Sequence, residues 1–294
     1  MRQTGQSFGG SWTIEKLDIL KEYLDFYVTA LKNQPFGLIY IDAFAGTGYI
    51  ETESSDEEDK LFINDSQKYF DGSTRIALQV DPSFDKYIFI EQSQNRYLEL
   101  LKLREEFPHL KKKIFVKNNE ANACLLDLCY TINWKNYRAV LFLDPYGMQV
   151  SWKSIEVIAK TEAVDLWYLF PLGIGVNRLL KRDGKITDTN KTKLDNIFGT
   201  KDWYEEFYRP KVIDSLFGDE IIEQEKVTNH EQIAMFFISR LKTCFPVSGV
   251  AKNYRLLYNS KNNPLYLFCF ACANPRGSTL ALRGAEHILK GKLK

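Results

Sequence analysis

A glycine-containing loop after an apolar run is the first place where this sequence can do chemistry. The segment IDAFAGTG covers 41–48, with Asp42 closing the apolar run and Gly46 and Gly48 in the loop. Glycines there permit a tight turn and let a ligand approach the backbone closely. Glu51 stands where a dinucleotide-binding loop has its third glycine, and no Lys-Ser or Lys-Thr pair marks a phosphate-binding loop. The loop therefore favours a ligand with a sulfonium and an amino-acid tail, whose ammonium Asp42 would bind; a plain turn with a buried aspartate is the alternative.

An acidic residue follows the next apolar run. Glu91 comes directly after YIFI at 87–90, and an acid at the end of a strand suits a bidentate grip on ribose hydroxyls. The gap between the loop and this acid is longer than the usual ~20 residues, and an acidic, polar insertion at 51–71 accounts for the excess. We therefore predict that Glu91 binds a ribose; a solvated strand end is the alternative.

An asparagine-rich segment, KNNEAN at 117–122, follows the third apolar run. The side chain of Asn118 or Asn119 can hydrogen-bond an adenine amino group, and Ala121 and Asn122 are close enough to contribute. A turn that caps a helix is the alternative. The predicted cofactor-binding residues are Asp42, Phe44, Ala45, Gly46, Gly48, Glu91, Asn119 and Asn122.

The turn DPYG at 144–147 follows the fourth apolar run and supplies the predicted catalytic residues, Asp144, Pro145 and Tyr146. Asp144 and a backbone carbonyl can accept the hydrogens of a planar exocyclic amine, and Tyr146 can stack on its ring. Such a site keeps the nitrogen lone pair ready for in-line attack on a methyl group, so its catalysis is mostly positioning. The alternative is a turn in which Asp144 caps a helix.

These residues need a scaffold in which strands alternate with helices. Apolar runs separated by helical patterns and joined by short loops predict βαβ units and a parallel sheet, whose carboxyl ends meet at one edge. The predicted strands cover 38–44, 87–91, 112–118, 138–147 and 164–171, and the predicted helices cover 13–32, 73–80, 95–106, 121–132 and 151–161.

The second half of the chain has a different pattern. We predict one methyltransferase-like domain over 1–294, with an N-terminal helix at 1–35 and a Rossmann-like core at 36–175. A charged helical insertion at 176–245 and a closing β-hairpin with a tail at 246–294 would follow. The predicted fold class is therefore α/β, a mostly parallel sheet that ends in an antiparallel hairpin.

Composition and charge exclude several classes of protein. A hydrophobic content of 45% and an aromatic content of 14% argue against intrinsic disorder. The net charge of +1 gives no global signature of nucleic-acid binding. The N-terminus lacks the apolar segment of a signal peptide, no apolar run is long enough for a membrane span, and the five cysteines are expected to be buried thiols with no metal site. We therefore expect a cytoplasmic protein without a membrane partner.

The motifs resemble those of known families. DPYG is similar to the DPPY motif of amino-methyltransferases with one proline missing, and to the DPFG turn of guanine-N2 tRNA methyltransferases. A longer resemblance, to the three-Cys-motif partner proteins of bacteria and phages, covers most of the chain. It rests on SWTIEKLDIL, IYIDAFAGTG, GSTRIAL, YIFIE, LFLDPYG, SWKSIEVIAKT and VDLWYLFP. The resemblance implies a class I fold, S-adenosylmethionine as the cofactor, and a three-cysteine-motif protein as the partner.

The function hypotheses differ in substrate. We predict an amino-methyltransferase acting on a base of DNA or RNA, with the basic runs at 111–113 and 178–182 as candidate phosphate contacts. A methyltransferase of a protein or small molecule, or a non-catalytic docking protein, are the alternatives. Trp12 and Lys16 precede the first strand, where some DNA amino-methyltransferases bind the cofactor, but the sequence favours surface positions on a helix for both.

Overall fold

The computed structural model describes residues 11–47, 72–214 and 220–291. Gly48 and the acidic segment 51–71, both part of the sequence predictions, lie outside the described residues. Within the described part of the chain, no helix is long and apolar enough to cross a membrane.

The secondary-structure elements follow each other along the chain as alternating strands and helices up to β5. The strands are β1 (Gly37–Asp42), β2 (Lys86–Ile90), β3 (Ile114–Lys117), β4 (Tyr137–Leu143), β5 (Val164–Phe170), β6 (Tyr208–Asp214), β7 (Glu220–Lys226), β8 (Arg255–Tyr258) and β9 (Pro264–Cys272). The α-helices are α1 (Ser11–Leu31), α2 (Ser73–Leu78), α3 (Gln94–Glu106), α4 (Ala121–Thr131), α5 (Trp152–Lys160), α6 (Asp188–Phe198), α7 (Trp203–Phe207), α8 (His230–Cys244) and α9 (Ser278–Lys290). Two 3-10 segments (Pro108–Lys113 and Val247–Gly249) and a π-helix (Leu172–Asn177) complete them.

Seven of these strands form one sheet in the order β3-β2-β1-β4-β5-β9-β8. The first five in the list pair in parallel, and β9 is antiparallel to both β5 and β8. The order reverses direction between β1 and β4, which is the switch point where ligands bind in open α/β sheets. This arrangement confirms the predicted fold class, a Rossmann-like, mostly parallel α/β sheet closed by an antiparallel hairpin.

The sheet is buried on both faces because its strands are apolar at successive positions. Along β1, Ile39 and Ile41 belong to the core on one face, whereas Leu38 and Tyr40 belong to the core on the other. The first core includes α4, α5 and α8, and the second includes α1, α2 and α9. Side chains alternate across a strand, so one apolar run supplies both cores.

The predicted insertion and tail differ from the structure in two places. The segment 176–245 is not wholly helical, because β6 and β7 form a separate two-stranded antiparallel sheet within it. The charged residues and the proline of β6 hid this strand, since prolines and charges are typical of exposed edge strands rather than buried ones. The predicted tail contains the amphipathic helix α9, which packs against α1.

The close contact between α1 and α9 depends on a small residue. A Cβ atom added at Gly284 of α9 would lie 2.3 Å from the Phe26 ring of α1, closer than packed atoms approach. The absence of a side chain at Gly284 therefore lets the two helices approach. Through this packing α9 helps to hold α1, and α1 carries Lys16 to the site.

Candidate functional site

The predicted site residues gather at the carboxyl edge of the parallel strands. Asp42 ends β1, Glu91 follows β2, the asparagines follow β3, and Asp144 follows β4. Because β9 is antiparallel to β5, its first residues also lie at this edge: Leu267 is opposite Phe170, the last residue of β5. One edge thus collects side chains from five strands.

Asp42 is completely buried beneath the loop that follows it. Its Oδ2 accepts hydrogen bonds from the hydroxyls of Ser73 at 2.5 Å and Tyr40 at 3.4 Å, and its Oδ1 accepts from the backbone N–H of Phe44 at 3.2 Å. A carboxylate oxygen has two lone pairs, so Oδ1 keeps one for a further donor. The predicted contact with a ligand ammonium depends on that remaining position.

Burial also changes the proton affinity of Asp42. Removal from water raises the pKa of its carboxyl to about 7, against the hydrogen bonds from Ser73 and Phe44, which lower it. The nearby charge of Asp144 raises the pKa further and that of Lys16 lowers it. Because Asp42 ends β1 and Asp144 follows β4, these charge effects show that the ends of the two strands lie close together.

The loop after β1 is tied to the end of β2. Gly46 has a φ of 61°, the left-handed conformation that favours glycine. Its N–H donates to Glu91 Oε2 at 3.1 Å, and the N–H of Ser93 donates to Glu91 Oε1 at 2.7 Å. The N–H of Ala45 donates to the carbonyl of Ile90 at 3.0 Å. Each oxygen of the buried Glu91 keeps a second lone pair, so the two oxygens can still accept hydrogen bonds from the hydroxyls of a diol.

The remaining loop residues have structural roles of their own. The side chain of Phe44 is half-buried and packs against the core that contains α4, α5 and α8. Asn118 donates to the carbonyls of Glu91 at 2.9 Å and Gln92 at 3.0 Å, joining the ends of β3 and β2. Asn119 is exposed, and its Oδ1 accepts only the N–H of Glu120, at 2.8 Å. Of the asparagines at this edge, Asn119 therefore keeps the most capacity for a ligand.

The predicted adenine contact of the Asn122 side chain is not supported by its hydrogen bonds. Its Nδ2 donates to Glu120 Oε1 at 2.7 Å and to the carbonyl of Gln149 at 2.9 Å. Its Oδ1 accepts from the N–H of Ser151 and the hydroxyl of Ser154, both at 2.9 Å. An amide has two donor hydrogens and two acceptor lone pairs, and all four are used. Asn122 instead joins the start of α4 to the start of α5.

Lys16 forms an ion pair with Asp144, and sequence analysis missed it. Lys16 lies on α1, is 7% exposed, and its Nζ donates to Asp144 Oδ2. The favoured prediction of a surface position for Lys16 is therefore wrong. The Asp144 side chain is 26% exposed, and its Oδ1 has no hydrogen-bond partner among the described residues. That oxygen is the free acceptor of the site.

Aromatic rings surround this ion pair. Tyr146 is 93% exposed on the turn, whereas Pro145 beneath it is buried. The Lys16 Nζ lies 5.1 Å from the centre of the Trp12 ring, and that ring lies 4.9 Å from the ring of Tyr266. Burial, together with the nearby Asp144 and Tyr146, raises the pKa of Tyr266 to about 12. Tyr266, near the start of β9, is a second site residue that sequence analysis missed.

The π-helix after β5 closes one side of the site. A Cβ atom added at Gly175 would lie 2.9 Å from Met148 Cγ, two residues beyond Tyr146, and one added at Gly173 would lie 1.9 Å from the carbonyl oxygen of Pro264. The two glycines therefore let the π-helix lie directly against the DPYG turn and β9. The insertion begins at the end of this helix, next to the site.

Two other predictions concern groups away from this edge. The run 111–113 precedes β3 and so lies at the amino edge of the sheet, where Lys111 pairs with Glu105 and Lys113 donates to Ser83 and the carbonyl of Phe84. The five cysteines are free thiols; Cys124, Cys269 and Cys272 are buried as predicted, whereas Cys129 and Cys244 are only partly buried. Among the described residues, no three His, Cys, Asp or Glu side chains come together as a metal-binding group.

Comparisons with known proteins identify the fold. No family model matches the chain, and no curated protein matches it. A solved structure of a Legionella pneumophila protein of family DUF519 is similar over 93% of this chain and 91% of that protein, with a TM-score of 0.51 and 14% identity. At 14% identity this similarity shows the fold class, and that class agrees with the strand order described above.

Two further solved structures match the chain with lower scores. A methyltransferase from Geobacter sulfurreducens has a TM-score of 0.30 and 9% identity over 70% of this chain and 78% of its own. A magnesium protoporphyrin IX methyltransferase from Synechocystis, solved with bound S-adenosylmethionine, has a TM-score of 0.33 and 12% identity over 76% of this chain and 86% of its own. At these scores the two structures carry no argument about substrate.

Proposed function

We propose that this chain is an S-adenosylmethionine-dependent amino-methyltransferase that acts on a nucleic-acid base. The observation that carries the proposal is the Asp144–Tyr146 turn, which combines one free carboxylate oxygen with an exposed aromatic ring. The turn lies at the same sheet edge as the Gly46 loop and Glu91. A planar amine can be held by this turn while a methyl donor is bound at the same sheet edge.

The residues at the carboxyl edge fit the proposed cofactor. The two oxygens of Glu91 each keep a lone pair for a ribose diol, and Oδ1 of Asp42 keeps one for an ammonium. The exposed Asn119 would contact the adenine. The left-handed Gly46 brings backbone close to the ligand without a side chain between them. When bound, S-adenosylmethionine supplies an electrophilic methyl group on a sulfonium.

The chain's own residues position the acceptor nitrogen. Tyr146 stacks on the base, and Asp144 Oδ1 accepts one hydrogen of the exocyclic amine. The sulfonium of the bound cofactor would supply the methyl group to the nitrogen, and Asp144 Oδ1 would accept the proton that the nitrogen loses. Lys16, held on the other oxygen of Asp144, fixes the orientation of the carboxylate. Most of the rate enhancement then comes from placement.

The experiment that tests this proposal is calorimetric titration with S-adenosylmethionine and with its demethylated product. Binding by the wild type that is lost in an Asp42→Ala/Glu91→Ala variant supports the cofactor site. The thermal unfolding midpoint of the variant serves as the folding control, since Asp42 is buried. A folded wild type that binds neither compound contradicts the proposal and favours a docking role for the fold.

The partner is a further part of the proposal. The resemblance of the sequence to three-Cys-motif partner proteins supports a complex with a three-cysteine-motif protein. Co-expression followed by size-exclusion chromatography tests it: a complex that elutes as one peak supports the assignment. Separate elution of the two purified proteins at micromolar concentrations contradicts it.

A further inference from the structure

Cationic side chains gather on the insertion where it leaves the π-helix. We define the cation cluster by its five members, Arg178, Lys181, Arg182, Lys185 and Lys226. The first four lie on or beside the loop between the π-helix and α6, and Lys226 ends β7. The backbone N–H of Lys226 donates to the carbonyl of Arg182 at 2.9 Å, so strand and loop are joined.

The loop that carries the cluster is held in place by defined contacts. Tyr208 of β6 donates its hydroxyl hydrogen to the carbonyl of Lys181 at 2.8 Å. The Nζ of Lys226 donates to Asn177 Oδ1 at 2.5 Å, which attaches β7 to the last residue of the π-helix. Gly184 has a φ of 68° and no room for a side chain against Gln224. The cluster is therefore a positioned surface.

The side chains of this cluster have no ion-pair partner in the part of the chain that the structure describes. Asp183, in the same loop, accepts the backbone N–H of Lys185 at 3.1 Å. Burial lowers the pKa of Lys226, and the charge of Arg182 lowers it further. Burial and the charge of Lys226 both lower the pKa of His230. Like charges held together in this way attract an anion.

The cation cluster is connected to the proposed target site through the π-helix. Asn177, which binds Lys226, ends the π-helix whose Gly175 lies against Met148. Met148 is two residues from the exposed Tyr146. A ligand that reaches both the cluster and Tyr146 must combine anionic charge with a flat ring, and must repeat the charge because the cations are spread over a loop and a strand. A nucleic-acid strand has these properties.

We infer that the cation cluster binds the phosphodiester backbone of the nucleic-acid strand whose target base stacks on Tyr146. This inference rests on the proposed function and adds to it the surface that holds the substrate. The contacts are to phosphates, so they orient the strand without reading its sequence. Stacking on Tyr146 would also accept any base, because every base presents a flat aromatic face.

The experiment measures binding of labelled oligonucleotides by fluorescence anisotropy over a series of salt concentrations. The probes are single-stranded RNA, single-stranded DNA and duplex DNA of one sequence, with polyglutamate as an anionic competitor. The test variant is Arg182→Gln/Lys226→Gln. The matched control is Lys32→Gln/Lys135→Gln, which removes the same charge from exposed lysines at the amino edge.

The expected result is a loss of affinity of about 10-fold or more in the test variant, with the control unchanged. The slope of log affinity against log salt should become shallower by about 1.4 for a single strand, about 0.7 for each lost phosphate contact. Tyr146→Ala should weaken binding about 10-fold without changing the slope, because stacking releases no counterions. The three probes identify which nucleic acid the surface takes.

Several results would overturn the inference: no binding of any oligonucleotide by the wild type, an unchanged slope in the test variant, an equal loss in the control, or equal competition by polyglutamate.

Because Lys226 is half-buried, Arg178→Gln/Arg182→Gln is the second variant, and the unfolding midpoints of all variants are compared. Titration with S-adenosylmethionine separates the two claims. Cofactor binding without oligonucleotide binding contradicts the surface, whereas oligonucleotide binding through the cluster without cofactor binding contradicts the proposed function.

Discussion

Two buried aspartates lie at opposite edges of the same sheet. Asp42 ends β1 at the carboxyl edge, and Asp165 is the second residue of β5, at the amino edge. Burial raises the pKa of both carboxyls, to about 7 for Asp42 and to about 6 for Asp165. Asp165 accepts the Tyr23 hydroxyl at 2.6 Å and faces Cys272 on the adjacent strand β9.

The surroundings of the two carboxyls differ more than their burial does. Next to Asp42 are a loop with backbone donors, the Lys16–Asp144 ion pair and an exposed tyrosine. Asp165 instead borders a cavity of about 60 Å³ lined mostly by aromatic and aliphatic side chains of α1 and α9. A buried acid with a raised pKa is therefore no evidence of function by itself. The adjacent free acceptor and exposed ring distinguish the carboxyl edge.

The largest effect is expected at the carboxyl edge itself. Asp144→Asn should lower the rate of methyl transfer about 100- to 1000-fold, because Lys16 binds the one remaining side-chain oxygen and an NH2 group replaces the acceptor aimed at the reacting amine. The rate is measured as transfer of a radiolabelled methyl group to the oligonucleotide that the protein binds most tightly. Tyr23→Phe, at the other edge, is the control and should leave the rate within about twofold. An equal loss in both variants would show that the two edges do not differ in function.

Glu91→Gln should weaken binding of S-adenosylmethionine by about 10- to 100-fold, since hydrogen bonds to a charged group contribute about 1.5–3 kcal/mol. Calorimetric titration measures the affinity. Glu99→Gln, on the exposed face of α3 where Glu99 pairs with Lys102, is the matched control. Unchanged affinity in Glu91→Gln would remove Glu91 from the proposed cofactor site.

Tyr23→Phe should lower the free energy of unfolding by about 1–3 kcal/mol, because it leaves the buried Asp165 without its hydroxyl donor. Denaturant unfolding measures this change. Affinity for the cofactor should stay the same, as the residue lies at the amino edge. A loss of cofactor affinity in a variant with normal stability would mean that the two edges are coupled.

The pH dependence of stability separates the two aspartates. A carboxyl whose pKa is raised on folding binds more protons in the folded state, so its contribution to stability falls as the pH rises. For Asp165 the fall ends at about pH 6, and for Asp42 it continues to about pH 7. Asp42→Asn should therefore reduce the slope between these values, by at most about 1.4 kcal/mol per pH unit. Denaturant unfolding at each pH measures the slope, and an equal reduction by Asp165→Asn in this range would contradict the assignment.

Local pattern predicted the parallel sheet well. The apolar runs of β1, β2, β4 and β5 lie within a few residues of the observed strands, because a strand buried on both faces is apolar throughout. The pattern failed at β6, where Pro210 and flanking charges gave no buried face, and at α9, where Gly284 interrupts a helical pattern that only packing against α1 explains.

The site was predictable only where its residues come from strand ends. Asp42, Glu91 and Asp144 follow apolar runs directly, so topology alone brings them together. Lys16 and Tyr266 reach the same place from α1 and from an antiparallel strand, and neither has a local signal. Three of the four hydrogen bonds of Asn122 likewise involve residues about 30 positions away, which spacing within KNNEAN does not reveal.

The position of α1 has a consequence for the order in which the protein is made. The ribosome produces α1 before any strand of the sheet, yet α1 packs against β8 and α9, which are produced after the five parallel strands. During synthesis the part of α1 that packs against β8 and α9 therefore stays uncovered until those two elements have emerged. The helix that carries Lys16 thus completes its packing only after the five parallel strands, including the one that precedes Asp144, have been made.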